Sequence, residues 1–425
     1  MKNQSVEKLS IWQNKTFLIL FSSYSISTLG RFFDMLAVML MFSYVWQAEP
    51  WLISMIPVAY AVPYALFSQF SGIFVDRGKK VKIMLTADLL TAVCTIAMIF
   101  TFNPWVMLGI IFVRATISTV HFPAQQALVK QVVHEDLLMK AVTLNGTVNQ
   151  LSKVIGPFVG ASIAAAFSPR VSFAIYAVFL LISVGVLLLV RHIDREDSNR
   201  FLENGDVEPE TYWKSWRGNW RSIFQSKALW VSFSFSLIAF LAIQLIDAQF
   251  VVLTRELFPH HPSIFGWLIS VVGLGAVTIL LFLNRLTEIK RYGLFLGSAV
   301  FLIGSGIFAM GMMWMDTEIW MILLAGLIIG VGTGIFSVVF SYILQVESPE
   351  GKVGQLSGMY ESLTGIILIV APVTGGLLVQ LFGVFTIFQV VGAVTFGIGL
   401  IGLVFQRWLW GSRRRGKEKS VKVAQ

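Results

Sequence analysis

The sequence predicts an all-α polytopic membrane protein with 12 transmembrane helices in two pseudo-symmetric six-helix bundles. Three observations carry that expectation. The 425-residue chain is 56% hydrophobic and only 13% charged, with a mean hydropathy of +0.76, whereas soluble chains carry roughly twice that charged fraction. Its apolar runs recur at lengths that cross a hydrocarbon core of about 30 Å. A polar-faced, proline-bent segment occurs twice, once in each half.

That segment is NGTVNQLSKVIGPFVGA, residues 145–161. Asn145, Asn149, Gln150 and Lys153 are polar positions inside an apolar run. Gly146, Gln150, Lys153, Gly156 or Pro157, and Gly160 recur every three to four residues and share one helical face. Pro157 frees a backbone carbonyl and bends the helix, and the glycines admit a close neighbour. The pattern returns as GMYESLTGIILIVAPVTGG, with Glu361, Pro372, Gly375 and Gly376. Two such helices point to a duplicated membrane transporter.

In chain order the expected spans are 16–46, 51–75, 82–102, 105–129, 138–167 and 170–191, then 227–256, 263–283, 292–315, 318–346, 353–381 and 385–408. Residues 1–191 form the N-terminal bundle and 227–410 the C-terminal one. Between them lies a 192–226 cytoplasmic linker, acidic at first. Its second part carries Trp213, Trp216, Trp220, Arg217, Arg221 and Phe224 and reads as an interfacial amphipathic helix. Residues 411–425 are a basic tail, a topology anchor near anionic lipid. The apolar stretch after MKNQSVEKLSIWQNK is too long for a signal peptide and reads as a retained first span. Lysines and arginines concentrate on the side that holds both termini, among them Lys15, Arg77, Lys79, Lys80, Lys82, Lys130, Lys290 and Arg291. The positive-inside rule then puts both termini in the cytoplasm of a bacterial-type inner membrane.

Composition also excludes functions. The formal charge of +9 comes from residues between apolar segments and does not imply nucleic acid. Cys94 is the only cysteine, which excludes an internal disulfide and any multi-cysteine metal site. No GxxxxGK[ST] phosphate loop, HExxH or cysteine–histidine cluster is present. No cofactor is expected, and movement has to be driven by a gradient of substrate or ions. The expected partners are a small-molecule substrate and membrane lipids, and a monomer is sufficient because both halves lie in one chain.

Ionisable residues inside apolar spans are costly and therefore informative. Arg31 and Asp34 lie one turn apart in the first span, with Tyr24 and Thr28 on the same face. Asp34 sits about 27 Å along that helix, at 1.5 Å per residue. The fourth span runs the opposite way, bringing Arg114 to a similar depth, with Ser118, His121 and Gln125 on its face. Asp34 reads either as a carboxylate whose protonation is coupled to transport, restrained by Arg31 or Arg114, or as half of a static ion pair. Glu361 reads as a proton carrier, a counter-charge for a cation or a cytoplasmic-side gate, and Tyr360 precedes it as a cavity candidate. Gln244 and Asp247 belong to an external opening or, for Asp247, to the headgroup region. Asp88, close to the basic loop, reads first as a structural ion-pair member. The cluster Gly326, Gly330, Gly332 and Gly334 favours close packing, static or sliding.

GIFVDRGKKVKIM, from Gly72 to Met84, resembles the cytoplasmic signature of the major facilitator superfamily, with Lys79 in place of its second glycine. The resemblance covers essentially the whole chain and extends to macrolide-efflux-like and other drug:proton antiporters. It implies the major facilitator fold and alternating access around a cavity formed mainly by spans 1, 4, 7 and 10. It also implies that Asp76 and Arg77 stabilise an outward-open state. Their second-half counterpart, Asn284-Arg285, has lost the carboxylate. IIFVRATISTV resembles the fourth-span motif and implies a proton-coupling role for Arg114. SKVIGPFVGA resembles the fifth-span antiporter motif, retaining Gly156, Pro157 and Gly160 while Ser152 and Ala161 replace glycines. It implies export.

The leading expectation is proton-coupled export of an amphiphilic, macrolide-like or cationic molecule. An alternative is export of an anionic metabolite, siderophore or lysolipid, for which Arg31, Arg114 and Lys153 suit an acidic head group. A non-transporting membrane sensor is a third reading. No convergent nucleophile–base or metal set supports an enzyme.

Overall fold

The structure is a computed structural model that describes residues 11–191, 193, 226–283, 289, 291–315, 317–348 and 353–410. Among them the regular structure is helical throughout, and eleven helices are long and apolar enough to cross a membrane. The remaining expected span is the 32-residue helix Glu135–Ala166, long enough at about 1.5 Å per residue but diluted by its asparagines and Lys153. The linker helix expected around Trp213–Phe224, Arg285 and the tail lie outside the described residues.

The chain forms two compact units: residues 1–207 with 248–270 and 372–377, and residues 208–247, 271–371 and 378–425. In the first, α1 (Lys15–Leu40) starts at Asn14, which accepts from the Phe17 amide at 3.0 Å and donates to the Val132 carbonyl at 2.7 Å. A π-helical turn, Met41–Val45, extends it. Then follow α2 (Pro50–Ile53), α3 (Met55–Arg77), α4 (Lys80–Ile99), α5 (Pro104–Ser118), α6 (His121–Val132), α7 (Glu135–Ala166) and α8 (Pro169–Leu188). α1 packs on α7 and α8, α4 on α8, and α3 on α5. Gly156 and Gly160 let α7 approach the backbone and Cβ atoms of Phe32 and Phe33, where any side chain would collide.

Sidedness is that of a protein in lipid. On α4, Asp88, Thr91 and Thr95 are buried while Leu89, Leu90 and Val93 are about half exposed. Outward leucines cost nothing against acyl chains, whereas an outward carboxylate would be stranded there.

The expected 105–129 span is in fact two helices, broken at Thr119 and Val120. Pro123, in the first turn of α6, has no N–H to offer the Thr119 carbonyl. Just upstream, the Ser118 and Thr119 hydroxyls donate to the carbonyls of Arg114 at 2.9 Å and Thr116 at 2.7 Å. Such back-bonding weakens the regular ladder. The 227–256 span likewise divides, into α9 (Lys227–Asp247) and α10 (Phe250–Leu257).

The second unit is built from α9, most of α11 (Ser263–Leu283), α12 (Tyr292–Gly311), α13 (Ile319–Glu347), most of α14 (Val353–Phe382), α15 (Val384–Val404) and α16 (Gln406–Trp410). Gly297, Gly304 and Gly311 form one stripe on α12, facing the α15 backbone at Leu403, Phe396 and Gln389. Gly392 and Gly399 answer from α15 against Phe308 and Phe301. On α13, Gly330 and Gly334 meet α11 while Gly332 meets α12. The α14–α15 turn uses Gly383 at φ +82°, a conformation disfavoured for residues with a Cβ.

Candidate functional site

The first unit holds a buried charge pair beside a polar cavity. Asp34 on α1 is 1% exposed and Arg114 on α5 is 3% exposed. Arg114 donates from Nη1 to Asp34 Oδ1 at 2.7 Å and from Nη2 to Oδ2 at 2.5 Å, the two-pronged geometry that suits guanidinium to carboxylate. Nη2 also donates to Tyr60 Oη at 2.6 Å, and Nη1 to Thr95 Oγ1 at 3.3 Å. The rings of Tyr60 and Tyr176 lie 5.8 Å from the guanidinium carbon. Helices α1, α3, α4 and α8 thus each place one group around the single cation that α5 carries.

The adjoining cavity, about 320 Å³, is lined among others by Tyr24, Arg31, Asp88, His121, Asn149 and Tyr176. Asp88 does not look to the basic loop. Its Oδ2 accepts from Ser183 Oγ at 2.6 Å, and Ser183 in turn meets Ser23 Oγ at 2.7 Å. His121 Nε2 lies 3.1 Å from Asp88 Oδ1, off the line of a good hydrogen bond. Asp34 therefore pairs with Arg114 and not with Arg31, which opens to the cavity one turn away.

The other expected site residues spread out. Lys153 is exposed on α7, and Asn145 Oδ1 is buried with no hydrogen-bond partner among the described residues. Pro157 is buried beside Gly156, and Pro372 and Gly375 are buried on α14. In the second unit Gln244 is buried on α9, which ends at Asp247. Tyr360 Oη lies 3.2 Å from Ser236 Oγ, its ring 4.4 Å from that of Phe340, and Glu361 is exposed beside it. The surroundings of Gly72, the side chains of Asp76, Arg77 and Gln150, and all of Arg285 lie outside what the structure describes. Among those described, no group of three or more metal-ligating side chains converges.

Sequence reasoning missed Tyr60, Thr95, Tyr176 and Ser183. The available signal was chemical: a phenol or hydroxyl deep in an apolar helix needs a partner.

Membrane-crossing helices around a buried charge pair and a polar cavity define a membrane transporter rather than an enzyme. The Major Facilitator Superfamily profile matches residues 20–261 and 257–424, so the chain belongs to that family. It is 26% identical over 432 residues to the uncharacterized MFS-type transporter YfiS of Bacillus subtilis (strain 168), covering 99% of this chain and 100% of that one. Macrolide efflux protein A of Enterococcus faecalis is 30% identical over 135 residues, 31% of this chain and 42% of that protein. A peptide transporter crystal structure superposes with a TM-score of 0.71 at 13% identity, over 95% of this chain and 96% of that one, a likeness of fold alone.

Proposed function

We propose that the protein is a secondary active exporter that moves amphiphilic small molecules out of the cell by proton antiport and alternating access. The observation behind this reading is the Asp34–Arg114 pair beside the cavity. A proton and the Arg114 fork compete for the same two carboxylate oxygens, since a protonated Asp34 keeps only one unencumbered acceptor. Protonation loosens Arg114 from α1, and deprotonation restores the grip, so proton occupancy biases two arrangements of α1 against α5. Tyr60 touches both partners, at 2.6 Å to Arg114 and 3.4 Å to Asp34, and holds the guanidinium when the carboxylate lets go. Glu361 is the second carboxylate on this reading, in the other unit.

Export is favoured by the likeness to macrolide efflux protein A over part of the chain. The distribution of basic residues favours both termini in the cytoplasm, and the bacterial relatives favour a bacterial-type cell membrane. An inward proton supplies about 2.3 kcal/mol per 100 mV plus the pH gradient, with no resident cofactor and a monomer as the working unit.

The test is intravesicular pH in proteoliposomes, scanned over hydrophobic cations, macrolides, anionic metabolites and lysolipids, for the wild type and Asp34→Asn. Substrate-dependent proton flux that the substitution abolishes, with binding retained, is expected. Unchanged flux in the variant would remove Asp34 from the coupling and transfer attention to Glu361.

A further inference from the structure

A cation inside a membrane helix is ordinarily paired, and Arg114 shows what pairing looks like here. Arg31, one turn from Asp34, is different. It is exposed on the cavity wall. Among the described residues it has no carboxylate within ion-pair distance, and its ring contact is with its own neighbour Phe32, 5.6 Å from the ring centre. The carboxylates near it are held by other groups: Asp34 by the Arg114 fork, and the buried Asp88 by the Ser183 hydroxyl. Lys153 on α7 is also exposed, with no ion-pair partner among the described residues. Gly156, three residues beyond Lys153, abuts Phe32, the chain neighbour of Arg31, so this part of α7 packs against α1. Among the described groups of the wall, Arg31 is therefore the exposed charge without an ion-pair partner, while the Asp88 carboxylate is buried behind Ser183.

The rest of the wall is chemically mixed. Tyr24, Tyr64, Tyr176 and Phe122 supply aromatic faces, and Asn149 supplies a neutral amide. Such a cavity receives a compact aromatic or apolar body and holds its polar end by a few placed groups.

The geometry points to an anion subsite at Arg31, seconded by Lys153, that takes the carboxylate or phosphate head of an amphiphilic substrate while its apolar body lies on the tyrosines. This rests on the transport reading and adds the charge of the substrate to it. The unpaired Arg31 charge attracts an acidic head and repels a cationic one, so the head is both bound and selected. Arg31 can grip either head with two parallel N–H donors, whereas Lys153 acts as a point charge.

The probes are a matched set: naphthylacetate, naphthyl phosphate and naphthylmethylammonium. Binding to the full chain in nanodiscs of zwitterionic lipid is read by thermophoresis, and proton flux for the same compounds is read in proteoliposomes. Both anions should bind at least about tenfold more tightly than the cation, the size of one charge-assisted contact. Arg31→Gln should lose about that factor for the anions only, Arg31→Lys should recover part of it, and Lys153→Gln should lose less. Equal or tighter binding of the cation, or anion affinity unchanged in Arg31→Gln, would overturn the subsite. Proton flux with cations but no preference for anions in binding would leave the exporter standing and remove the subsite. Anion binding that depends on Arg31 without flux of any compound would do the reverse.

Discussion

The two terminal nitrogens of Arg114 donate to the two carboxylate oxygens of Asp34 at 2.7 and 2.5 Å, with both side chains almost fully out of solvent. Burial makes this contact costly to break from one side. Each partner is desolvated, and each depends on the other for its charge to be tolerated.

Asp34→Asn should lower stability by about 3–5 kcal/mol, because the Arg114 charge stays buried without its counter-ion. The double variant with Arg114→Met should recover much of that loss, since both charges go together. Thermal unfolding of purified wild type, single and double variants in one detergent measures this. Equal destabilisation in the single and double variants would mean that packing, and not charge, is what the pair provides.

Tyr60→Phe keeps the ring and removes the hydroxyl that sits 2.6 Å from Arg114. A hydrogen bond to a charged group contributes about 1.5–3 kcal/mol, so a clear loss in unfolding temperature is expected. If Tyr60 holds Arg114 while Asp34 is protonated, proton-driven transport should fall further than substrate binding. Parallel binding and flux assays read the split.

In the second unit, Gly304→Ala drives a methyl into the α15 backbone at Phe396, which can yield only by separating the helices. Overpacking of this kind costs about 1–3 kcal/mol. Gly397→Ala is the matched control, because nothing lies within 4 Å of a Cβ there. A lower unfolding temperature for the first and not for the second is expected.

Arg255 on α10 donates to the carbonyls of Ser43 at 3.0 Å and Ala48 at 3.2 Å. Nearby, Gln249 donates to Ser54 Oγ at 2.7 Å. These bonds tie residues 248–270 to the end of α1 within the first unit. Arg255→Ala should speed amide exchange at Trp46 and Ala48, whose N–H groups bond to Met41 and Phe42, by roughly tenfold for a loss of about 1.4 kcal/mol. Hydrogen–deuterium exchange over residues 41–54 measures it.

By itself, the sequence determined that the chain is helical and crosses a membrane many times, and it singled out Asp34, Arg114, Arg31 and His121 as groups that lipid would not tolerate. Those properties depend on local composition, length and period, which one segment displays without reference to any other. Equal depth made Arg31 and Arg114 equivalent partners for Asp34. Only tertiary structure decided between them, because the choice depends on how α1 and α5 are rotated. For α1 that rotation follows from packing of Gly156 and Gly160 on Phe32 and Phe33 and of Gly30 on Tyr176. Tyr60, Thr95 and Ser183 were silent for the same reason: a hydroxyl gains meaning only from the group it meets, and those groups come from helices far away in the chain.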